Sequence, residues 1–362
     1  MNSLKQLWED QGQAVWLDFI ERALLSGGGL ARLVADDGVR GVTSNPSIFQ
    51  KAIEGGGAYG DAVAELLEND PGMTTLDLYE ALAIEDIRGA TDILQPVYEA
   101  SGGDDGYVSL EVSPHLARDT EGTVVEAKRL WRTVDRPNLM IKVPATPEGI
   151  PAIERLIAEG INVNATLMFS LEDYEAVAGA YLRGLEACAE PARVASVASF
   201  FVSRVDTKVD AALDAIATPA AFDLRGKAAI ANAKLAYRRF EELFGGDAFA
   251  VHAERGARVQ RPLWASTSTK NPDYRDVIYV EELIGADTVN TLPVATLEAF
   301  RDHGRLRASL REAPAAAEQV FAGLADLGVD IDAVTEELQV EGVSAFAASF
   351  DQLLAALDAA RA

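Results

Sequence analysis

Short apolar and β-branched runs recur along the chain and alternate with stretches that carry Leu, Ala and Glu at helical intervals. This alternation is typical of βα units, in which each strand lies parallel to the next. Eight runs, each followed by helix, predict an α/β fold of the (β/α)8 TIM-barrel type. The predicted strands are residues 15–19, 39–43, 107–112, 139–143, 162–168, 194–201, 262–266 and 288–292.

Helical spacing between these runs predicts the surrounding helices and a C-terminal extension. The gap between the second and third strands is long enough for more than one helix. Residues 314–362, beyond the eighth strand, predict a helical tail. Because no linker or internal repeat divides the chain, residues 1–362 are expected to form one decorated barrel domain. The main predicted helices are residues 74–101, 120–133, 171–187, 204–217 and 224–243.

Polar side chains share one face near the carboxyl ends of several predicted strands. Lys142 alternates with Ile141 and Val143, so it should point into the barrel. Barrel active sites are built at this end of the strands, and buried charges are costly unless they are paired or used. The strand pattern therefore predicts chemistry there. The same division places on the inward face Asp18, Thr43, Asn45, Ser109, Glu111, Ser113, Asn164 and Thr166.

Each of these residues also has an ordinary explanation when it is taken alone. In this alternative, Lys142 is an ordinary lysine at the end of a strand, and Asp18 and Glu111 are structural or helix-capping carboxylates. Asn164 and Thr166 are then hydrogen-bond partners of barrel backbone groups. An assumed strand can also be wrong by one position, which reverses its two faces. Convergence on one cavity is what favours a reaction.

Charge and cysteine content narrow the expected partners and location. The 362 residues include 32 Lys plus Arg and 57 Asp plus Glu, a net charge of −25. This balance disfavours nucleic acid and anionic membranes, so an anionic substrate must meet a local basic site. The single cysteine, Cys188, cannot form an internal disulfide, which favours the cytoplasm. We expect neither a signal peptide nor a membrane span.

An inward lysine without neighbouring metal ligands points to imine chemistry. His115, His252 and His303 are far apart in the sequence, and no metal-binding or nucleotide-binding motif occurs, so we expect no metal and no cofactor. A desolvated lysine can lose its proton and add to a ketone. The resulting protonated imine accepts the electrons of a breaking carbon–carbon bond, while nearby carboxylates move the protons.

Five segments, taken together, resemble the transaldolase family, and the resemblance spans the whole chain. It implies reversible transfer of a dihydroxyacetone unit from sedoheptulose 7-phosphate or fructose 6-phosphate to glyceraldehyde 3-phosphate or erythrose 4-phosphate. The implied setting is the non-oxidative pentose phosphate pathway. The segments are GVTSNPSIF at 41–49, IKVPAT at 141–146, NVNATLMFS at 162–170, VASFFVSRVD at 197–206 and WASTSTKNP at 264–272.

The resemblance also implies a role for each matching residue. Lys142 matches the lysine that forms the Schiff base, and Asp18 matches the residue that moves the proton at the hydroxyl next to the cleaved bond. Glu111 matches the acid that activates a water during imine formation, and Thr166 matches the threonine that positions this water. The substrate-binding positions implied are Thr43, Asn45, Asn164, Ser199, Phe201, Arg204 and Lys270.

Two of these positions depart from patterns found among resembling enzymes. Arg204 and Ser199 match phosphate-binding positions, but some members carry a second Arg after strand seven where this chain offers Lys270. A lysine supplies charge without the fixed fork of a guanidinium, so phosphate affinity is what this departure affects. Phe201 stands where resembling fructose 6-phosphate aldolases carry Tyr.

Two other functions and the oligomeric state stay open at this point. A fructose 6-phosphate aldolase-like enzyme would share the barrel and the lysine but release free dihydroxyacetone, although that branch resembles a bare, shorter barrel. A non-catalytic acidic scaffold would not account for Lys142, Asp18 and Glu111 occurring together. The sequence is compatible with either a monomer or a homodimer.

Overall fold

Parallel strands close into a barrel in the computed structural model, which describes residues 2–55 and 57–360. Within these residues, eight strands pair in chain order, and the first pairs with the eighth. The predicted (β/α)8 barrel is therefore confirmed. The strands are β1 (Gln13–Leu17), β2 (Gly41–Thr43), β3 (Tyr107–Glu111), β4 (Leu139–Pro144), β5 (Val163–Met168), β6 (Ser196–Phe201), β7 (Arg261–Ala265) and β8 (Thr288–Leu292).

Helices surround this barrel and continue beyond its last strand. Short turns of π or 3-10 helix also occur at Leu33–Asp37, Pro114–Leu116 and Pro191–Arg193. The α-helices are α1 (Ser3–Glu9), α2 (Arg22–Ser26), α3 (Gly29–Arg32), α4 (Pro46–Glu54), α5 (Gly60–Asn69), α6 (Thr75–Ala100), α7 (Thr120–Val134), α8 (Gly149–Ala158), α9 (Leu171–Ala187), α10 (Ser203–Ile216), α11 (Pro219–Phe222), α12 (Ala228–Phe244), α13 (Asp247–Ala253), α14 (Ile278–Glu281), α15 (Val294–His303), α16 (Pro314–Asp326) and α17 (Ile331–Ala360).

Some predicted boundaries were wrong, and hydrogen bonds show why. β1 begins two residues before the predicted run because Gln13 is a strand residue whose side chain donates to Leu283 O at 2.6 Å. A polar residue of this kind has no place in an apolar strand pattern. β6 begins two residues late because the backbone N–H of Ala195 donates instead to the side chain of Asn162 at 2.9 Å. α6 runs through Pro96, close enough to its end for the last turn to continue.

Strand register brings the inward side chains of neighbouring strands side by side. Glu111 of β3 is paired with Lys142 of β4, and Lys142 is paired with Asn164 of β5. The register shifts late in β5, where Leu167 adopts a left-handed φ of 58°. Such a bulge redirects the chain at the barrel rim, where β5 passes into the loop before α9. The predicted convergence of these strand ends is thus a consequence of register.

The C-terminal extension is helical as predicted, and α17 crosses the carboxyl end of the barrel. Gln339 donates to Ala145 O at 3.0 Å, and Ser349 lies 2.7 Å from Ser47 of α4, Oγ to Oγ. By length and composition alone α17 could also cross a membrane, with a window of mean hydropathy 1.2. Here its buried side chains, which include Phe346 and Leu353, face the barrel and α4.

Candidate active site

A cavity of about 670 Å³ opens at the carboxyl end of the barrel, where the inward polar side chains converge. Most of the predicted site residues line it. Glu111 and Asn164 do not: Glu111 borders a second cavity beside it, and Asn164 is fully buried. The predicted residues that line the cavity are Asp18, Thr43, Asn45, Lys142, Thr166, Ser199, Phe201, Arg204 and Lys270.

Lys142 and Glu111 form a buried pair at the floor of this cavity. The Nζ of Lys142 lies 3.4 Å from Glu111 Oε2 and donates to Ser44 O at 3.1 Å. Lys142 is only 5% exposed. Burial raises the pKa of Glu111, while the adjacent Lys142 charge opposes that rise. The amine therefore has a proton acceptor at close range and an open face toward the cavity.

Asp18 follows β1 and lies on another wall of the cavity. Its Oδ1 accepts a hydrogen bond of 2.7 Å from Thr43, whose hydroxyl is also 2.7 Å from that of Thr291. Burial raises the pKa of Asp18, and the Thr43 hydrogen bond and the positive charges of Lys142 and nearby cations act against that rise. A second carboxyl group is thus available at the cavity, held apart from Glu111 on a different strand.

Two buried oxygens near the lysine have no partner among the described residues. They are Glu111 Oε1 and Thr166 Oγ1. Buried polar atoms in proteins nearly always have a hydrogen-bond partner, so such atoms mark places for water or ligand. Both belong to strands that flank or neighbour β4. The floor of the cavity therefore has unused hydrogen-bonding capacity on either side of Lys142.

The two asparagines differ in what they offer to a ligand. Asn45 caps α4, and its Oδ1 accepts from the Ile48 N–H at 3.0 Å, which leaves its amide nitrogen for the cavity. Asn164 is fully buried and uses both ends of its amide, since it accepts from Ser199 at 2.6 Å and donates to Ser109 at 3.0 Å. A ligand that reaches Asn164 must replace one of these serines or bond through it.

Positive charge is concentrated at the mouth of the cavity. Among the described lining residues, Lys51, Lys142, Arg204 and Lys270 face a single carboxylate, Asp18. Burial lowers the pKa of Lys270, and the charges of Arg204 and Lys51 lower it further. Cations that repel one another in this way bind an anion readily. On a chain of net charge −25, this is the local basic site that an anionic substrate requires.

Arg204 is the most distinctive of these cations. Its guanidinium forms no hydrogen bond or ion pair with residues 2–55 or 57–360. It lies instead 5.1 Å from the ring centre of Phe201 and 6.0 Å from that of Phe346. Burial lowers the pKa of Arg204, with the charge of Asp18 opposing. The N–H donors of this guanidinium are thus without a partner among those residues and are available to a ligand.

Comparison with known proteins gives the same assignment along almost the whole chain. The family model described as transaldolase/fructose-6-phosphate aldolase matches residues 15–357. A transaldolase of Thiobacillus denitrificans is 54% identical over 348 residues, 95% of this chain and 96% of the relative. The chain belongs to the transaldolase family. A transaldolase of Thermobifida fusca is 51% identical over 359 residues, 98% of this chain and 97% of the relative.

Transaldolase family membership makes the chain a transferase that works through a Schiff base, on sugar phosphates. The resemblance read from the five segments is confirmed. Metal ligation requires clustered side chains, and among residues 2–55 and 57–360 no group of three or more His, Cys, Asp or Glu is arranged to hold an ion. The arrangement of a buried amine, two separate carboxyl groups and a cationic rim suits acid–base chemistry on a phosphorylated carbonyl compound.

Sequence reasoning missed two side chains that a transaldolase substrate would meet in this cavity. Lys51 follows Ser47 by one turn of α4, so helical spacing from the capped start at Asn45 was the available signal. Phe346 comes from α17, far along the chain. Nothing in the spacing of that helix shows that it crosses the barrel.

A second, smaller cavity of about 300 Å³ lies beside the first, between β3, α6, α7 and α17. Glu111 borders it, together with Tyr79, His115 and Phe350. At the surface, His115 bonds to Asp351 at 2.8 Å, and Asp119 caps α7.

Proposed function

We propose that this chain moves a three-carbon dihydroxyacetone unit between sugar phosphates through an imine on Lys142. The donors would be sedoheptulose 7-phosphate or fructose 6-phosphate, and the acceptors glyceraldehyde 3-phosphate or erythrose 4-phosphate. The observation that carries the proposal is the buried pair of Lys142 and Glu111, 3.4 Å apart beneath a cavity with a cationic rim. Family membership supports the same reaction.

In this proposal, Lys142 and Glu111 make and remove the imine. The amine adds to the ketone carbon of the donor, and the carbonyl oxygen leaves as water once it has been protonated. Glu111 moves the protons in these steps because its Oε2 is the carboxylate oxygen beside Nζ. Thr166 and the free Oε1 of Glu111 hold the water, which accounts for two buried oxygens without a partner.

Asp18 is assigned to carbon–carbon cleavage. It takes the proton of the hydroxyl next to the bond that breaks, and the bonding electrons pass to the iminium, which becomes an enamine. The aldose phosphate leaves, and an acceptor aldehyde then captures the enamine in the reverse sequence. Thr43 orients the carboxylate through its 2.7 Å hydrogen bond, while Asn45 and Asn164 hold the hydroxyls of the three-carbon unit.

The phosphate of the substrate is assigned to the cationic rim. Arg204 supplies the N–H donors, and Ser199, which lines the same cavity, adds a hydroxyl. Lys270, whose Nζ donates to Ser268 at 2.6 Å, adds a second charge. Phe201 presents an apolar ring and no group that could orient a hydrolytic water.

We further propose that the enzyme works in the cytoplasm without metal or cofactor, as a monomer or homodimer, and that nucleic acid and membranes are not its partners. The single cysteine is buried and free, as suits a reducing compartment. The imine itself provides the electron sink that a cofactor would otherwise supply. Residues 1–362 are proposed to act as one decorated barrel domain.

The decisive experiment is borohydride reduction in the presence of fructose 6-phosphate, followed by peptide mass spectrometry. We expect a reduced adduct on Lys142 alone. Lys142→Ala should abolish it, and Lys142→Arg should not restore it, because a guanidinium stays protonated. Lys51 and Lys270 line the same cavity and remain in both variants as internal controls. Substrate-dependent labelling that persists in Lys142→Ala would exclude Lys142 as the nucleophile.

A further inference from the structure

The tail helix α17 contributes one ring to the cavity, at a point between the proposed nucleophile and the proposed phosphate site. The ring centre of Phe346 lies 5.9 Å from Lys142 Nζ and 6.0 Å from the guanidinium carbon of Arg204. Phe346 is almost fully buried and lines the cavity. It is therefore placed to act on either cation.

The two cations differ in how much else holds them. Lys142 is fixed by Ser44 O at 3.1 Å and by Glu111 at 3.4 Å. The guanidinium of Arg204 has no hydrogen bond or ion pair among the described residues. It lies near two rings, Phe201 on β6 and Phe346 on α17. Removing the Phe346 ring therefore leaves Lys142 with its hydrogen-bond partners but takes from Arg204 one of these two ring contacts.

The backbone of α17 packs closely on the barrel beside the contact between Phe346 and Arg204. Gly342 lies one turn before Phe346, and a Cβ added there would be 3.0 Å from Leu167 Cδ2 and 3.7 Å from Arg204 Nη1. A side chain at this position would require the end of Leu167 or the helix itself to shift by a few tenths of an ångström. Gln339 and Ser349 anchor the helix on either side of Phe346, to Ala145 O and to Ser47 respectively.

We propose that Phe346 is a positioning residue that holds Arg204 for phosphate, so that the C-terminal helix completes the substrate site. This inference rests on the proposed function in one respect, the assignment of Arg204 to the phosphate. The guanidinium carbon lies over the ring of Phe346 at 6.0 Å from its centre, so loss of the ring removes an apolar neighbour and a cation–π contact that restrict where the guanidinium sits. In this proposal, α17 contributes to substrate binding through Phe346.

The test compares substrates that need Arg204 with one that does not. In Phe346→Ala, we expect kcat/KM for fructose 6-phosphate to fall about 10-fold or more, mainly through KM, the size expected for a desolvated cation–ring contact. Borohydride trapping of unphosphorylated dihydroxyacetone on Lys142 should change by no more than about 2-fold, because Lys142 keeps its contacts with Ser44 O and Glu111. The affinity for inorganic phosphate, measured by calorimetry on the full chain, should fall in parallel with fructose 6-phosphate use.

Two further variants guard against a trivial loss of packing. Phe346→Leu keeps an apolar side chain without a ring and should still show weakened phosphate binding. Leu353→Ala truncates a fully buried side chain two turns further along α17 that lines neither cavity described above, and it should leave phosphate affinity unchanged.

The outcomes separate this proposal from the reaction itself. Full phosphate affinity in Phe346→Leu, or equal losses in Phe346→Ala and Leu353→Ala, would overturn the positioning role. An equal loss for dihydroxyacetone and fructose 6-phosphate would overturn it as well. If the unmodified enzyme forms no trappable adduct on Lys142, the proposed function fails, while the calorimetric comparison of phosphate affinities still decides the role of Phe346.

Discussion

Replacing Arg204 tests how an acidic protein holds a phosphorylated sugar. Arg204→Ala removes a cation of the cavity that, like Lys51, has no hydrogen bond or ion pair in residues 2–55 and 57–360, so its donors are free for a ligand. Lys270 and Lys51 remain on the rim. The enzyme should therefore keep its chemistry and lose substrate affinity.

The magnitude follows from the contact that is lost. A hydrogen bond to a charged group contributes about 1.5 to 3 kcal/mol, and each 1.4 kcal/mol is about tenfold in rate, so kcat/KM should fall about 10- to 150-fold. Arg204 also acts against the rise in the pKa of Asp18. Without that charge, the pKa of Asp18 rises further, and the acid limb of the pH profile of kcat should move to higher pH because Asp18 must be ionised to accept a proton.

The assay measures kcat/KM for fructose 6-phosphate and for unphosphorylated fructose, each across pH. Arg204→Lys is the matched control: it retains the charge but not the fork, so it should lose affinity with little movement of the acid limb. We expect the loss in Arg204→Ala to be confined largely to the phosphorylated sugar. An equal loss for both sugars would show that Arg204 does not bind phosphate. An acid limb that does not move would show that the charge of Arg204 does not affect the pKa of Asp18.

Asp18→Asn should still form the borohydride-trappable imine but cleave it about 100- to 10,000-fold more slowly, whereas Glu111→Gln should slow trapping itself; equal trapping rates in the two variants would contradict the division of roles. Phe201→Tyr should release more dihydroxyacetone from fructose 6-phosphate without acceptor, because a phenol can orient water; an unchanged ratio of release to transfer with erythrose 4-phosphate would refute this. Burial raises the pKa of Asp206 to about 6 from 3.8, so the folded protein binds a proton that the unfolded chain has released, and this group's stability contribution is lost as pH rises through that window. In urea unfolding, the stability of Asp206→Asn relative to the wild type should increase by about 2 kcal/mol between pH 4 and pH 6.5, and a constant difference across that range would contradict the shifted pKa.

The barrel and the floor of its site were predictable from the chain because both depend on a short period. Side chains alternate along a strand, so the sequence alone predicts that Lys142 and Glu111 lie on the inward face. Register then placed them in neighbouring positions on β3 and β4. Errors arose where a polar side chain took part in a strand, as Gln13 does through its bond to Leu283 O.

The rest depended on distances that no local pattern encodes. Asn164 and Asn45 have similar positions in the sequence motifs, yet one is enclosed by two serines and the other caps a helix at the cavity. Lys51 is an ordinary helix residue until α4 is placed beside the barrel mouth. Whether a polar group faces a ligand or a neighbour is decided by packing around it.

The sequence by itself determined the fold class and predicted the nucleophile and the two carboxyl groups, since periodicity and motif spacing are local properties of the chain. Only the tertiary structure decided that α17 returns across the barrel and brings Phe346 to Arg204, more than a hundred residues earlier. Near this contact, Gly342 packs closely against Leu167, and α17 is held by the hydrogen bonds of Gln339 to Ala145 O and of Ser349 to Ser47. Long-range packing of this kind is set by the whole core, so it leaves no pattern at the residues that it joins.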